Sequence, residues 1–88
     1  MSLNAAQKKQ TSLELLENYR ISELTPETVE AQLGFDPKRL KDNLELNAGS
    51  DGESVWRLRD YMEKKIREQG RQPYPYSMLR QNIWYRYN

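Results

Sequence analysis

The chain has 88 residues, 36% hydrophobic and 31% charged, with a net charge of +1 and neither cysteine nor histidine. That length fits a single domain, 1–88, with one modest core. It excludes a disulfide framework, thiolate chemistry and histidine-based acid–base or metal chemistry. No apolar run approaches the ~18 residues needed to span a bilayer and no signal-peptide core opens the chain, so a cytoplasmic protein without a membrane partner is expected.

Leucine occurs eleven times and Val and Ile together five times. Helices favour unbranched side chains and strands favour β-branched ones, so an all-α fold is expected. A first helix is predicted from about Asn4 to Arg20. Asn4 and Gln7 have the spacing of a capping box. Leu13, Leu16 and Tyr19, with Leu15 widening the stripe, are its expected core face.

A second helix is predicted from about Thr25 to Leu33. Thr25 caps it and Pro26 stands at the first helical position, where φ is already set and no donor is wasted. Leu24 and Val29 are spaced as a hydrophobic staple, and Gly34 can supply the left-handed residue that ends the helix. A third helix, about Asp36 to Leu46, repeats the device: Asp36 caps, Pro37 follows, and Phe35 and Leu40 are the staple. Leu33, Phe35, Leu40 and Leu44 are the expected buried set.

Residues 47–52, Asn-Ala-Gly-Ser-Asp-Gly, read as a loop. A fourth helix follows, with Ser50 and Glu53 as a capping box and Asp51 as the rival cap. Val55, Leu58, Met62 and Ile66 form its apolar stripe, and Gly70 is its expected stop. The prolines in Gln72-Pro73-Tyr74-Pro75-Tyr76 force extended backbone. Ser77 is placed to cap a last helix carrying Leu79, Ile83 and Tyr87 on one face. The sum is a compact bundle of about five helices, with an aromatic-rich C-terminal segment, 71–88.

The segment "TPETVEAQLGFDPKRLKDNL" has the spacing of two short helices joined at Gly34. It resembles the helix-turn-helix of Cro- and Xre-type bacterial repressors, with the lambda-repressor-like fold, over roughly residues 12–68. At whole-chain level, "LTPE", "LGFDPKRL" and "VWRLRDYMEK" resemble a family of small uncharacterised bacterial proteins. The repressor resemblance implies that 36–46 is a recognition helix and that the protein is a small DNA-binding transcriptional regulator acting on double-stranded DNA. One position departs from the pattern: Glu30 stands where the repressors usually carry alanine.

On that reading, Pro37, Lys38, Lys41 and Asp42 face base edges and Arg39 lies toward the flank. Lys38 and Arg39 would meet phosphate, Lys41 guanine acceptors, and Asp42 cytosine. Charge opposes it. Residues 25–46 carry five acidic groups against three basic ones, a net of −2, whereas 54–88 carry eight basic against three acidic. Phosphate neutralisation supplies most non-specific affinity, so an acidic motif must borrow cations from elsewhere.

Tyr74, Tyr76, Trp84, Tyr85 and Tyr87 are five of the nine aromatics. Tyr and Trp serve cores and interfaces alike, so these residues are candidates for a homodimer contact. The alternative function is therefore a non-enzymatic protein-interaction module of the same fold, homodimeric and without DNA binding. No Gly-rich phosphate loop and no paired carboxylates in an apolar setting are present, so neither an enzyme nor a cofactor is expected.

Overall fold

The computed structural model describes residues 4–79. Among these are four helices and no strand: α1 (Ala5–Ser22), α2 (Pro26–Leu33), α3 (Pro37–Glu45) and α4 (Gly52–Glu68), followed by an irregular strap over 71–79. Against the expected count of about five, the described residues hold four. Ser77 caps nothing among the described residues, because its amide and hydroxyl both donate to Glu14 (3.0 and 2.7 Å). The remainder of the expected last helix, including Ile83 and Tyr87, lies outside the described residues.

The helix starts follow local chemistry. Asn4 and Gln7 make the reciprocal capping box, Thr25 accepts from Thr28 N–H, and Asp36 accepts from Arg39 N–H. At α4 the cap is Asp51, not Ser50. Asp51 Oδ1 accepts the Ser54 amide (2.8 Å) and Oδ2 accepts the Ser54 hydroxyl (2.9 Å). Ser50 instead closes the loop by donating to the Asn47 carbonyl (2.7 Å). A carboxylate that accepts from two donors at a helix N-terminus also opposes the positive end of the dipole.

The helix ends are less regular than expected. Gly34 takes φ 76° after α2, as the turn requires. α1 and α3, however, end on left-handed Glu23 (φ 59°) and Leu46 (φ 53°), neither of which is a glycine. Such residues are uncommon in this region and are held there by their surroundings. α1 consequently runs to Ser22, two residues beyond the expected stop.

One hydrophobic cluster joins Leu15, Val29, Phe35, Leu40, Leu44, Val55, Trp56, Leu58 and Met62 with Tyr76 and Leu79 of the strap. Phe35, Leu40 and Leu44 are buried as expected, while Leu33 is only half-buried at the edge. On α4, Val55, Leu58, Met62 and Ile66 are buried, and so is Trp56.

The first helix keeps only part of its expected face: Leu15 is buried in the core and Tyr19, half-buried, packs against it, but Leu13 is 55% exposed and Leu16 38%. The inner face instead carries Thr11, Glu14, Leu15, Asn18 and Ser22. The reason is the strap that lies along it. Asn18 Nδ2 donates to the Tyr74 carbonyl (2.9 Å) and Asn18 Oδ1 accepts the Tyr74 N–H (2.7 Å). Its carboxamide therefore pairs with extended backbone as a neighbouring strand would. Glu14, 2% exposed, accepts both Ser77 bonds and one from Gln10 Nε2 (2.8 Å). Gln69 Nε2 donates to the Ser22 carbonyl (2.7 Å) and Arg71 Nη1 to the Ile21 carbonyl (3.0 Å), fastening the start of the strap to the end of α1.

Candidate nucleic-acid interface

α2 and α3 meet around Gly34, and the side chains that lock them are Val29, Phe35 and Leu40, all buried. Phe35 is covered by two guanidinium groups: Arg39 lies 4.7 Å from its ring centroid and Arg57 of α4 lies 5.5 Å away. Such stacking favours both cations over the ring face. Glu30 and Ala31 are both exposed, so neither is buried where the repressor pattern would place its alanine.

The four candidate reading residues occupy different environments. Lys41 is exposed and makes no ion pair among the described residues. Lys38 is exposed too, but its Nζ donates to Asp42 Oδ2 at 2.7 Å, one turn along α3. Asp42 also accepts from Asn47 Nδ2 (3.2 Å), and Gly49 approaches it so closely that any Cβ there would collide with the carboxylate. The Lys38 hydrogen bond, and then that of Asn47, hold the Asp42 carboxyl below the ordinary carboxylate range; Asp42 in turn raises Lys38. Asp42 is therefore an anchored anion that braces the α3–α4 loop.

Arg39 points back toward α4. Its Nη2 donates to Ser54 Oγ (2.6 Å) and lies 3.7 Å from Asp51 Oδ2. It is a strut between α3 and the cap of α4. The same cap, chiefly through the Ser54 amide, holds the Asp51 carboxyl below its ordinary range.

The remaining cations divide in the same way. Arg59 pairs with Asp60 and Glu63, Lys65 with Glu68, Arg67 with Glu63 and Arg71 with Glu23. Arg57 and Lys64 on α4, and Lys8 and Lys9 on α1, make no ion pair among the described residues. Unpaired positive charge is thus spread over α1, α3 and α4. α3 alone does not hold it.

Of the aromatic candidates, Tyr74 is 43% exposed and Tyr76 is in the core, its ring 5.0 Å from the Arg59 guanidinium carbon. Burial pushes the Tyr76 phenol well above its ordinary range. Trp84, Tyr85 and Tyr87 lie outside the described residues.

A groove of about 420 Å³ runs between α1 and the start of α4, with Lys8, Thr11, Leu46, Asp51, Val55 and Leu79 in its lining. None of the four α3 candidates lines it. Among the described residues no cluster of acidic side chains could hold a metal ion, and no helix is long and apolar enough to cross a membrane.

A family described as an uncharacterized protein conserved in bacteria (DUF2316) matches residues 1–87. The chain belongs to this family. The small uncharacterised bacterial family expected from "LTPE", "LGFDPKRL" and "VWRLRDYMEK" is thereby found. No curated protein and no solved structure matches the chain. None of these comparisons supports the expected Cro- and Xre-type resemblance, and DUF2316 brings no activity with it.

Two features were missed in the sequence. The strap's attachment to Glu14 and Asn18 was invisible because polar residues at helical spacing usually face water. One signal was available: the backbone around Pro73 and Pro75 had to find partners outside any helix, and Asn or Glu side chains can supply them. The strut role of Arg39 had no local signal, since Ser54 is fifteen residues away.

Proposed function

We propose that the protein is a small helix-turn-helix DNA-binding protein of the regulator type. The observation that carries this reading is the α2–Gly34–α3 unit. Two N-capped helices are locked by Val29, Phe35 and Leu40, and α3 turns Pro37, Lys38 and Lys41 to solvent. That is what entry into a major groove requires of a second helix. Lys38 has two donors to spare beyond its bond to Asp42, and Lys41 has all three. Arg57 and Lys64 are the nearest unpaired cations in sequence that could add phosphate contacts. With Asp42 anchored and Arg39 engaged, the reading predicts modest affinity with a strong salt dependence.

A salt titration of binding to duplex DNA tests it. Affinity should fall by ~0.9 log units per log unit of salt for each phosphate neutralised. The pair Lys38→Gln and Lys41→Gln should flatten the slope by about one such contact, that of Lys38, and erase the sequence preference that Lys41 carries. No binding to any duplex at low salt would overturn the proposal.

The second reading, a non-enzymatic interaction module, is favoured by the internal pairing of Lys38 and Arg39. Cations already satisfied by Asp42, Ser54 and Asp51 gain less from phosphate. In that case the α3 face is a structural brace and function lies on another surface.

A further inference from the structure

We propose that the outer face of α1 is a self-association surface, on which two copies of this chain pair their α1 helices antiparallel about a two-fold axis at Leu13. The inference is independent of whether DNA is bound. All the exposed large apolar side chains among the described residues fall on α1 and the strap: Leu13, Leu16, Tyr74 and Met78, at 36–55% exposure. Leu13 and Tyr74 together border a shallow groove of about 320 Å³ with Gln10, Glu14 and Glu17.

Helix geometry puts Ala6, Lys9, Leu13, Leu16 and Arg20 in one stripe, spaced three and four residues apart, on the side away from the buried Thr11, Leu15, Asn18 and Ser22. All five are exposed. A stripe of this spacing is what one helix presents to another.

Charge selects both the occupant and the register. A two-fold contact is self-complementary: whatever residue i meets, that residue's copy meets i in return. Centred on Leu13, an antiparallel pair sets Leu13 against its own copy. It sets Lys9 of each chain against Glu17 of the other, and Leu16 against Gln10 at the edge of the groove beside Tyr74. Lys9 makes no ion pair among the described residues, and Glu17 is held ionised by its hydrogen bonds with Arg20, so both charges are in place. Moving the axis to lie between Leu13 and Leu16 would instead set Lys9 against Arg20, like against like. A parallel pairing would set each residue against its own copy, Lys9 on Lys9 and Arg20 on Arg20.

Sedimentation of the intact chain over a wide concentration range tests the surface. The wild type should dimerise, and Leu13→Lys should leave a folded monomer, since Leu13 contributes little to the core. Lys9→Glu and Glu17→Lys should each weaken the dimer about tenfold or more, because each turns two attractive contacts into two repulsive ones. The double variant should recover most of the wild-type affinity. A chain that stays monomeric at the highest concentration overturns the proposal. So does a dimer that ignores Leu13→Lys, or a double variant that fails to recover. Helical circular dichroism of each variant, unchanged from wild type, keeps loss of folding from mimicking loss of pairing.

Discussion

α1 and α4 are nearly equal in length, eighteen and seventeen residues, yet they bury opposite kinds of side chain. α4 buries Val55, Trp56, Leu58, Met62 and Ile66. α1 buries one leucine among Thr11, Glu14, Asn18 and Ser22, and leaves Leu13 and Leu16 in water. The difference follows from what each helix meets. α4 faces side chains of the common cluster, and apolar area removed from water is its contribution. α1 gives that cluster Leu15 but also faces backbone: the strap around Pro73 and Pro75 has no helical or strand partner, and its polar groups are costly to bury unpaired. Asn18 and Glu14 meet that demand at the expense of an apolar inner face. Helix burial alone therefore does not reveal which side chains point inward; the neighbour's chemistry decides.

The comparison can be broken at its apolar end first. Trp56→Ala should destabilise by about 3–5 kcal/mol, as deletion of a fully buried aromatic does, measured by chemical unfolding. A loss below 1 kcal/mol would mean that α4 is not the apolar side of the core.

The polar end should respond less but more locally. Asn18→Ala removes both bonds to the Tyr74 backbone and should cost about 2 kcal/mol. Amide exchange at Tyr74 and Ser77 should quicken far more than at residues of α4. Uniform quickening across the molecule would show that the strap is not held separately from the core.

Asp51 ties the apolar helix to α3, since it caps α4 and its carboxylate lies 3.7 Å from the Arg39 guanidinium. Asp51→Ala should cost about 1 kcal/mol. Its carboxyl is held below the ordinary value, so its contribution is present above that value and is lost as the pH falls through the lower folded one. Part of the stability should accordingly disappear below about pH 4. Asp51→Asn, which can still cap, should keep most of the neutral-pH stability and lose that share of the acid dependence. An unchanged acid profile would remove Asp51 as a cause.

The smallest effect sharpens the comparison most. Leu13→Ser should change stability by no more than about 0.5 kcal/mol at concentrations where the chain is monomeric. A larger loss would return Leu13 to the core and restore the apolar face that the spacing of α1 suggests.

The sequence by itself determined the local events. Asn4, Thr25 and Asp36 start helices because a short polar side chain reaches the amide three residues on, wherever the helix then packs. Pro26, Pro37 and Gly34 act through their own backbone preferences. Val55, Leu58, Met62 and Ile66 were legible because that stripe of α4 packs into the apolar cluster, so its period and its burial agree. What only the tertiary structure decided depends on partners distant in sequence. Asn18 and Glu14 turn inward because residues 74 and 77 come to lie beside them. Arg39 is a strut rather than an outward cation because α4 brings Ser54 and Asp51 within reach of its guanidinium. Leu13 and Leu16 are left outside because a helix has one inner face, and on α1 the strap's unpaired backbone claimed it.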